Sequence, residues 1–184
     1  MKTFPKPGFK NTAQTLDILE DGIKKHQIGQ VVVASTYGDT GLEAARRLQN
    51  LGVTLVVVTH NSGFREPGAL EMVPAVRHEI ESLGGRVCTG TMPFRNIGTA
   101  IREKQGYSQQ DLVANTLRIF GQGIKVCVEI AMMAADSGMI SQADVLCVAG
   151  TGRGADTVAL ISPQSSNKLF DLKVRDILAK PVEW

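Results

Sequence analysis

Aromatic residues are scarce in this sequence, at 5%, with a single tryptophan and two tyrosines. That shortage leaves few rings on which nucleic-acid bases could stack. Neither sign of charge dominates, since 20 Lys and Arg residues stand against 18 Asp and Glu residues without a long basic run. Nucleic-acid binding is therefore not expected, because proteins that grip a phosphate backbone usually cluster their cations.

Cysteine is also rare, and Cys88, Cys127 and Cys147 lie far apart in apolar segments. The paired spacing of a zinc site is missing, so no metal site is predicted. Buried, reduced thiols are typical of a cytoplasmic protein, which is the predicted location. Apolar runs reach only strand length, and residues 1–10 contain two prolines and no apolar core, so neither a membrane partner nor a signal peptide is expected.

The 184 residues are 43% hydrophobic, which predicts one globular domain over residues 1–184. Continuous β-branched runs at residues 30–35 and 53–59 are typical of strands buried on both faces of a parallel sheet. The amphipathic run at 42–51 joins them into a right-handed βαβ unit. Further strands are predicted at 86–89, 144–149 and 158–162, with 168–174 as one more strand or an edge segment.

Helical periodicity predicts helices at residues 11–26, 69–83, 108–120 and 124–137. Residues 90–106 show no clear period and are predicted to form a long loop. Residues 175–179 are predicted as a short helical turn before Pro181 and a tail that ends at Trp184. The strand at 158–162 follows its predecessor after about eight residues, too few for a parallel crossover, so it should run antiparallel.

The first candidate binding loop is Ser35-Thr36-Tyr37-Gly38-Asp39-Thr40-Gly41, between the first predicted strand and its helix. Thr40 and Glu43 have the spacing of a capping box, which predicts the helix start. A helix N-terminus offers unpaired N–H groups and a positive dipole end, and the hydroxyls add donors, so the loop could cradle a phosphate. The alternative is that these hydroxyls only cap the helix and close the turn.

The second predicted strand runs into a loop that carries His60, Phe64 and Arg65. Ligands in open α/β sheets bind beyond the carboxyl ends of strands, so this position favours a binding role. The alternative is that His60 and Arg65 satisfy loop backbone and neighbouring carboxylates.

The third candidate is Gly150-Thr151-Gly152-Arg153-Gly154-Ala155-Asp156-Thr157. Its third glycine comes one residue early for a dinucleotide fingerprint, and a β-branched strand pattern follows instead of a helix. Glycines let backbone approach a ligand and Arg153 is suited to holding phosphate, although a plain turn with an exposed arginine would have the same sequence.

Two carboxylates, Glu129 and Asp136, lie seven residues apart on the last predicted helix. Paired carboxylates can serve acid–base chemistry. Pairing of Lys125 with Glu129 at i,i+4 is the favoured alternative, because their spacing supports it directly.

Taken together, the first and third loops resemble the phosphate-holding loops of the C-terminal α/β domain of pyruvate kinase. A closer resemblance is to a small, poorly characterised family of stand-alone proteins built on that domain. The matching segments are Thr59-His60, Gly63-Phe64-Arg65-Glu66-Pro67-Gly68, Gly123-Ile124-Lys125-Val126-Cys127-Val128-Glu129-Ile130, Gly154-Ala155-Asp156-Thr157 and Ile177-Leu178-Ala179-Lys180-Pro181.

This resemblance implies a three-layer α/β/α fold with a five-stranded sheet, four strands parallel and the last antiparallel. Members of the family are associated with flavin mononucleotide (FMN), so the resemblance implies a small phosphorylated ligand. Asp39 departs from the family pattern and places a negative charge near the proposed phosphate, unless its side chain caps the helix.

Three functional hypotheses follow. The first is a protein that binds FMN or another phosphorylated ligand. The second is an enzyme, either a flavin-dependent oxidoreductase in which His60 moves a proton or an enzyme acting on a sugar phosphate. The third, by analogy with pyruvate kinase, is a module that senses an effector. The sequence leaves homo-oligomer formation open.

Overall fold

The computed structural model describes residues 1–183 and alternates strands with helices around one sheet. The strands are β1 (Lys2–Phe4), β2 (Gln30–Ala34), β3 (Thr54–Val58), β4 (Arg86–Cys88), β5 (Val145–Ala149), β6 (Thr157–Ser162) and β7 (Lys173–Pro181). The α-helices are α1 (Thr12–His26), α2 (Asp39–Leu48), α3 (Pro74–Ser82), α4 (Asn96–Gln105), α5 (Gln109–Arg118) and α6 (Gln122–Asp136). Short 3-10 segments occupy Phe9–Asn11 and Ser166–Asp171, and Trp184 lies outside the described residues.

The sheet separates two hydrophobic cores, as the β-branched runs predict. Val31 and Val33 of β2 pack with α1, α2 and α3 on one face. Val32, between them, packs against α6 on the other face. All three valines are fully buried, because successive side chains of a strand point to opposite faces. The predicted α/β class and the burial of both sheet faces are therefore confirmed.

Within residues 1–183, seven strands form the sheet, in the order β1-β7-β6-β5-β2-β3-β4, so the predicted count of five is wrong. The four parallel strands β2, β3, β4 and β5 and the antiparallel β6 match the prediction. β7 pairs antiparallel to β6 and begins later than the strand or edge segment predicted at 168–174, since Ser166–Asp171 is a 3-10 segment. β1, which adds to β7 in parallel from residues 1–10, was not predicted.

The direction in which successive strands are added to the sheet reverses at β2. The chain passes from β2 outward to β3 and β4, then returns through α4, α5 and α6 to place β5 on the opposite side of β2. Such a reversal opens a crevice at the carboxyl ends of the two central strands, which is where open α/β sheets bind ligands. The loops that follow β2 and β5 flank this crevice.

Two predicted element types are wrong. Residues 90–106 are not a long loop, since α4 occupies Asn96–Gln105; this helix buries only Gly98, so it lacks the broad apolar stripe that marks a helix in sequence. Residues 175–179 belong to β7 and not to a helical turn. The first part of β7 is exposed and charged, and β-bulges interrupt its pairing with β6, so the strand shows no regular alternation.

The helix predicted at 69–83 begins later, at Pro74, whose fixed φ suits the first turn. The helices predicted at 11–26, 108–120 and 124–137 are confirmed to within two residues. The predicted capping box is not formed, because Thr40 lies inside α2 and Gly38 is its N-cap without a side-chain cap.

Candidate functional site

A cleft of about 340 Å³ opens at the carboxyl edge of the sheet, and we call it the edge cleft. The loops after β2, β3 and β5 form one side of it, and residues of α4, α5 and α6 form the other. Its volume falls near the lower end of the range usual for small-ligand sites, about 300–1,000 Å³. Ten predicted site residues line it: Ser35, Thr36, Tyr37, Asp39, Thr40, His60, Gly150, Gly152, Arg153 and Gly154.

The structure brings the loops after β2 and β5 together. Arg153 Nη2 donates to Asp39 Oδ2 over 2.8 Å, which joins residues 114 positions apart in the chain. Asp39 therefore directs its carboxylate to a guanidinium and not to the helix backbone. Both side chains remain largely exposed, so this ion pair adds little to stability.

The N-terminus of α2 faces the edge cleft with two backbone donors available. The Gly41 N–H donates to Ser35 Oγ over 3.1 Å, and the Leu42 N–H donates to the Gly38 carbonyl over 2.7 Å. Within residues 1–183, the N–H groups of Asp39 and Thr40 have no acceptor. Such donors at the positive end of a helix dipole suit an anion.

Two glycines of the first loop serve packing and do not line the edge cleft. A Cβ on Gly41 would lie 2.5 Å from Val57 Cγ1, so its absence lets α2 pack closely on β3. Gly38 has φ +100°, and a Cβ there would lie 2.3 Å from Val76 Cγ1 of α3. The side of Gly38 that lacks a Cβ is therefore filled by α3 and does not let a ligand approach the backbone.

The loop after β5, residues 150–156, is held from behind by Asp156. This carboxylate is fully buried and accepts from the N–H groups of Gly8 and Thr151, each over 3.0 Å, and from the Thr157 hydroxyl over 2.8 Å. Three backbone and side-chain donors around one carboxylate fix the loop against the N-terminal arm.

Neighbouring residues strengthen that attachment. The Ala155 N–H donates to Thr12 Oγ1, and the Ala155 carbonyl accepts from the Thr15 hydroxyl. Thr151, Ala155, Asp156 and Thr157 therefore support the loop and do not line the edge cleft. Gly152 is different, because it lines the cleft and a Cβ there would have no atom within 4 Å.

His60 lies between the first loop and an aromatic side chain. Its Nδ1 and the Thr36 hydroxyl are 2.7 Å apart, and its ring stacks on Phe64 with centroids separated by 3.9 Å. Burial, together with the charges of Arg95, Lys125 and Arg65, lowers the pKa of His60 to about 4. The imidazole is therefore neutral at pH 7 and offers a flat, partly buried surface to the cleft.

Two other predicted residues of this loop lie outside the cleft lining. Phe64 packs behind His60, with the Arg95 guanidinium 4.6 Å from its ring centroid. Arg65 lies 3.8 Å from Glu71 and 5.3 Å from the centre of the Tyr37 ring, where Arg153 approaches to the same distance. Arg65 therefore acts on the cleft through Tyr37 and through its charge on His60.

The predicted i,i+4 pair is present and deeply buried. Lys125 Nζ donates to Glu129 Oε2 over 2.5 Å, and the Glu129 Oε1 atom accepts from the Phe94 N–H over 2.9 Å. Asp136 plays no part in this pair, since its carboxylate accepts from the Ser166 N–H. The pairing interpretation of Glu129 is confirmed, and the pair also lines the edge cleft.

Most of the cationic residues of the edge cleft were not assigned to a site from the sequence. Within residues 1–183, five cationic side chains line the cleft against three carboxylates: Arg95, Arg102, Arg118, Lys125 and Arg153, against Asp39, Asp111 and Glu129. Of the five cations, only Arg153 was a predicted site residue. A signal for part of it exists, because Gln122, Lys125 and Glu129 recur at helical spacing on one face of α6. Arg95 and Arg102 belong to the segment predicted as a loop, so no periodicity placed them near α6.

Comparison of the chain with models of known protein families finds no match. None of the helices in residues 1–183 combines the length and the apolarity needed to cross a membrane.

Proposed function

We propose that this protein binds a small phosphorylated ligand in the edge cleft and that FMN is the first candidate. The phosphate would lie at the N-terminus of α2, against the Asp39 and Thr40 N–H groups and the Arg153 guanidinium. Ser35 Oγ already accepts from the Gly41 N–H, so Ser35 would hold the loop while Thr36 and Thr40 offer hydroxyls.

One observation carries the proposal: the ion pair of Arg153 with Asp39 at the start of α2. A loop 114 residues away in sequence delivers an arginine to a helix N-terminus, at the topological switch point of the sheet. Anions are favoured where helix dipole, free N–H donors and a guanidinium coincide. A ligand phosphate would replace Asp39 as the partner of Arg153.

FMN, rather than a simpler phosphate ester, is favoured by the flat surface beside the phosphate site. The neutral His60 ring, backed by Phe64, could stack on a planar ring system. The resemblance to the stand-alone pyruvate kinase C-terminal-like proteins supports the same ligand, and we extend that classification to this chain as part of the proposal. We also propose a cytoplasmic location, because the three cysteines are buried and free.

The experiment is a visible absorption spectrum of freshly purified protein, followed by mass spectrometry of whatever denaturation releases. Flavin bands and released FMN are expected, or uptake of added FMN by protein that was purified without it. Arg153→Gln should weaken FMN binding about tenfold or more, since it removes a charge-assisted contact. Arg175→Gln is the matched control, because Arg175 pairs with Asp144 in a comparable exposed ion pair elsewhere. Failure of the wild type to take up FMN would reject FMN as the ligand.

A second candidate function is catalysis, and the hydrogen bond between Thr36 and His60 favours it. A neutral imidazole held by a hydroxyl at 2.7 Å is in the form that can accept a proton at neutral pH. His60→Asn would place an amide atom near the position of Nδ1, which contacts Thr36, and would remove the titrating ring. If a flavin-dependent turnover is found, this variant should lose it while still binding FMN.

A further inference from the structure

We propose that the edge cleft contains a second anion site, formed by Lys125 and Arg95 on the side opposite α2, and that it takes a separate small anionic ligand such as a carboxylate or a phosphate ester. Lys125 comes from the first turn of α6, and Arg95 lies just before α4. Both line the same cleft as the proposed phosphate site.

Lys125 supplies the first observation. Its side chain is only 6% exposed, yet the ammonium makes a single hydrogen bond within residues 1–183, to Glu129. An ammonium has three donors, so two of them have no acceptor among residues 1–183. Burying polar donors unsatisfied is costly, and the lining of the cleft by Lys125 shows where an acceptor could enter.

Arg95 supplies the second observation. Its guanidinium lies over the Phe64 ring, and no carboxylate of residues 1–183 forms an ion pair with it. Phe64 in turn stacks on His60, and Arg95 and His60 both line the cleft. The Lys125 ammonium lies 5.5 Å from the centre of the Phe94 ring. Phe94 directly precedes Arg95 in the chain, so the two cations belong to neighbouring parts of the cleft.

The electrostatics of this group of cations agree with the geometry. Burial lowers the pKa of Lys125, Glu129 opposes that effect, and Arg118 and Arg95 lower the pKa further. Arg95 and Lys125 act in the same direction on His60. Cations that repel one another inside a cleft are stabilised when an anion enters between them. Asp39 and Asp111 cannot serve as that anion, since they pair with Arg153 and Arg102.

The two sites differ in their elements and in their partners. The first uses α2 and the loop after β5, whereas the second uses α6 and the segment after β4. His60 and Phe64 lie between them in strand order, since β3 separates β2 from β4. A second anion bound there would face whatever stacks on His60, which fits a small co-substrate. That last step rests on the proposed function; the second anion site itself does not.

The test is equilibrium dialysis with labelled inorganic phosphate, which counts the ions bound per chain. Two bound phosphates are expected for the wild type, one for Arg95→Gln and one for Arg153→Gln. The double variant Lys125→Met/Glu129→Gln should also bind one, and it leaves no buried charge behind. Arg86→Gln is the matched control, because Arg86 is an exposed arginine on β4 remote from the cleft, and it should still bind two.

Addition of FMN separates this proposal from the first. FMN should displace one phosphate, the one that depends on Arg153. If FMN displaces neither while the Arg95-dependent phosphate remains, the proposed function fails and the second site stands. If the wild type binds no phosphate that Arg95→Gln removes, or if FMN displaces both, the second site for a separate ligand is rejected. Circular dichroism of each variant establishes whether it is folded, so that a lower number of bound phosphate ions is not mistaken for unfolding.

Discussion

Asp39, the first residue of helix α2, forms an ion pair with Arg153. Its carboxylate therefore competes with a ligand phosphate for the Arg153 guanidinium. Asp39→Asn should therefore tighten binding of phosphate or FMN by about three- to tenfold, since it removes a competing negative charge and keeps the side-chain shape. Titration of FMN fluorescence measures the affinity.

Asp144→Asn is the control for that substitution, because it removes the same charge from the comparable pair with Arg175. It should leave the affinity unchanged. Weaker binding by Asp39→Asn would mean that the carboxylate helps to hold the ligand, which contradicts the proposed site.

The second prediction concerns pH and His60, whose pKa is lowered to about 4 by burial and by Arg95, Lys125 and Arg65. Between pH 6.5 and pH 4 the unfolded chain binds a proton at this residue and the folded protein does not. The free energy of unfolding should therefore fall as the pH drops through this window. We expect a contribution of about 1–2 kcal/mol, less than the full shift implies because solvent screens the partly buried ring.

His60→Gln should remove this contribution, so the difference in unfolding free energy between wild type and variant should change between pH 6.5 and pH 4. Urea denaturation at a series of pH values measures it. His78→Gln changes an exposed histidine and should follow the wild-type curve. Parallel curves for the wild type and His60→Gln would show that His60 is not held neutral.

The third prediction concerns the buried pair of Lys125 and Glu129, whose side chains are 6% and 1% exposed. Lys125→Met should lower the free energy of unfolding by about 3–5 kcal/mol, because it leaves the Glu129 carboxylate buried without its cation. The double variant Lys125→Met/Glu129→Gln should recover most of this loss. The glutamine oxygen can still accept from the Phe94 N–H, which Glu129 accepts in the wild type. Equal stability of the single and double variants would contradict the account.

Sequence patterns predicted the secondary structure correctly where it depends on neighbouring residues in the chain. The valines of β2 and β3 predict doubly buried parallel strands, and the Ser108–Asp111 spacing marks the start of α5, where the Asp111 N–H donates to Ser108 Oγ. The short connection between β5 and β6 also predicts their antiparallel pairing. In each case local geometry decides the outcome.

Sequence patterns failed where tertiary contacts determine the structure. Helix α4 packs through Gly98 against Gln110 of α5, and the Met92 N–H donates to Asn96 at its start. Neither contact produces a periodic pattern in the sequence. For the same reason the sequence could not predict that Arg95 lines the same side of the cleft as Lys125 of α6. It also could not show that Asp156, a member of the predicted ligand loop, faces inward to hold Gly8 and Thr151.

The fourth prediction concerns Gly150, at the start of the loop after β5. A Cβ there would lie 2.3 Å from the Gly154 carbonyl oxygen, so Gly150→Ala must push the loop open. Overpacking of this kind costs about 1–3 kcal/mol, and Arg153 would lose its position near α2. Thermal unfolding and FMN titration should both show the effect.

Gly90→Ala is the matched control, since a Cβ at Gly90 has no atom within 4 Å and Gly90 has no positive φ. Its stability and FMN affinity should equal those of the wild type. Full FMN affinity in Gly150→Ala would show that the position of this loop does not matter for binding.

The measurement that tests the central claim most directly is the ratio of the dissociation constants of riboflavin and FMN, which differ only in the phosphate. The wild type should bind FMN at least about tenfold more tightly than riboflavin, Arg153→Gln should lower this ratio by about tenfold, and Arg175→Gln should leave it unchanged. Equal affinity of the wild type for the two flavins would contradict a phosphate seat between Arg153 and the N-terminus of α2.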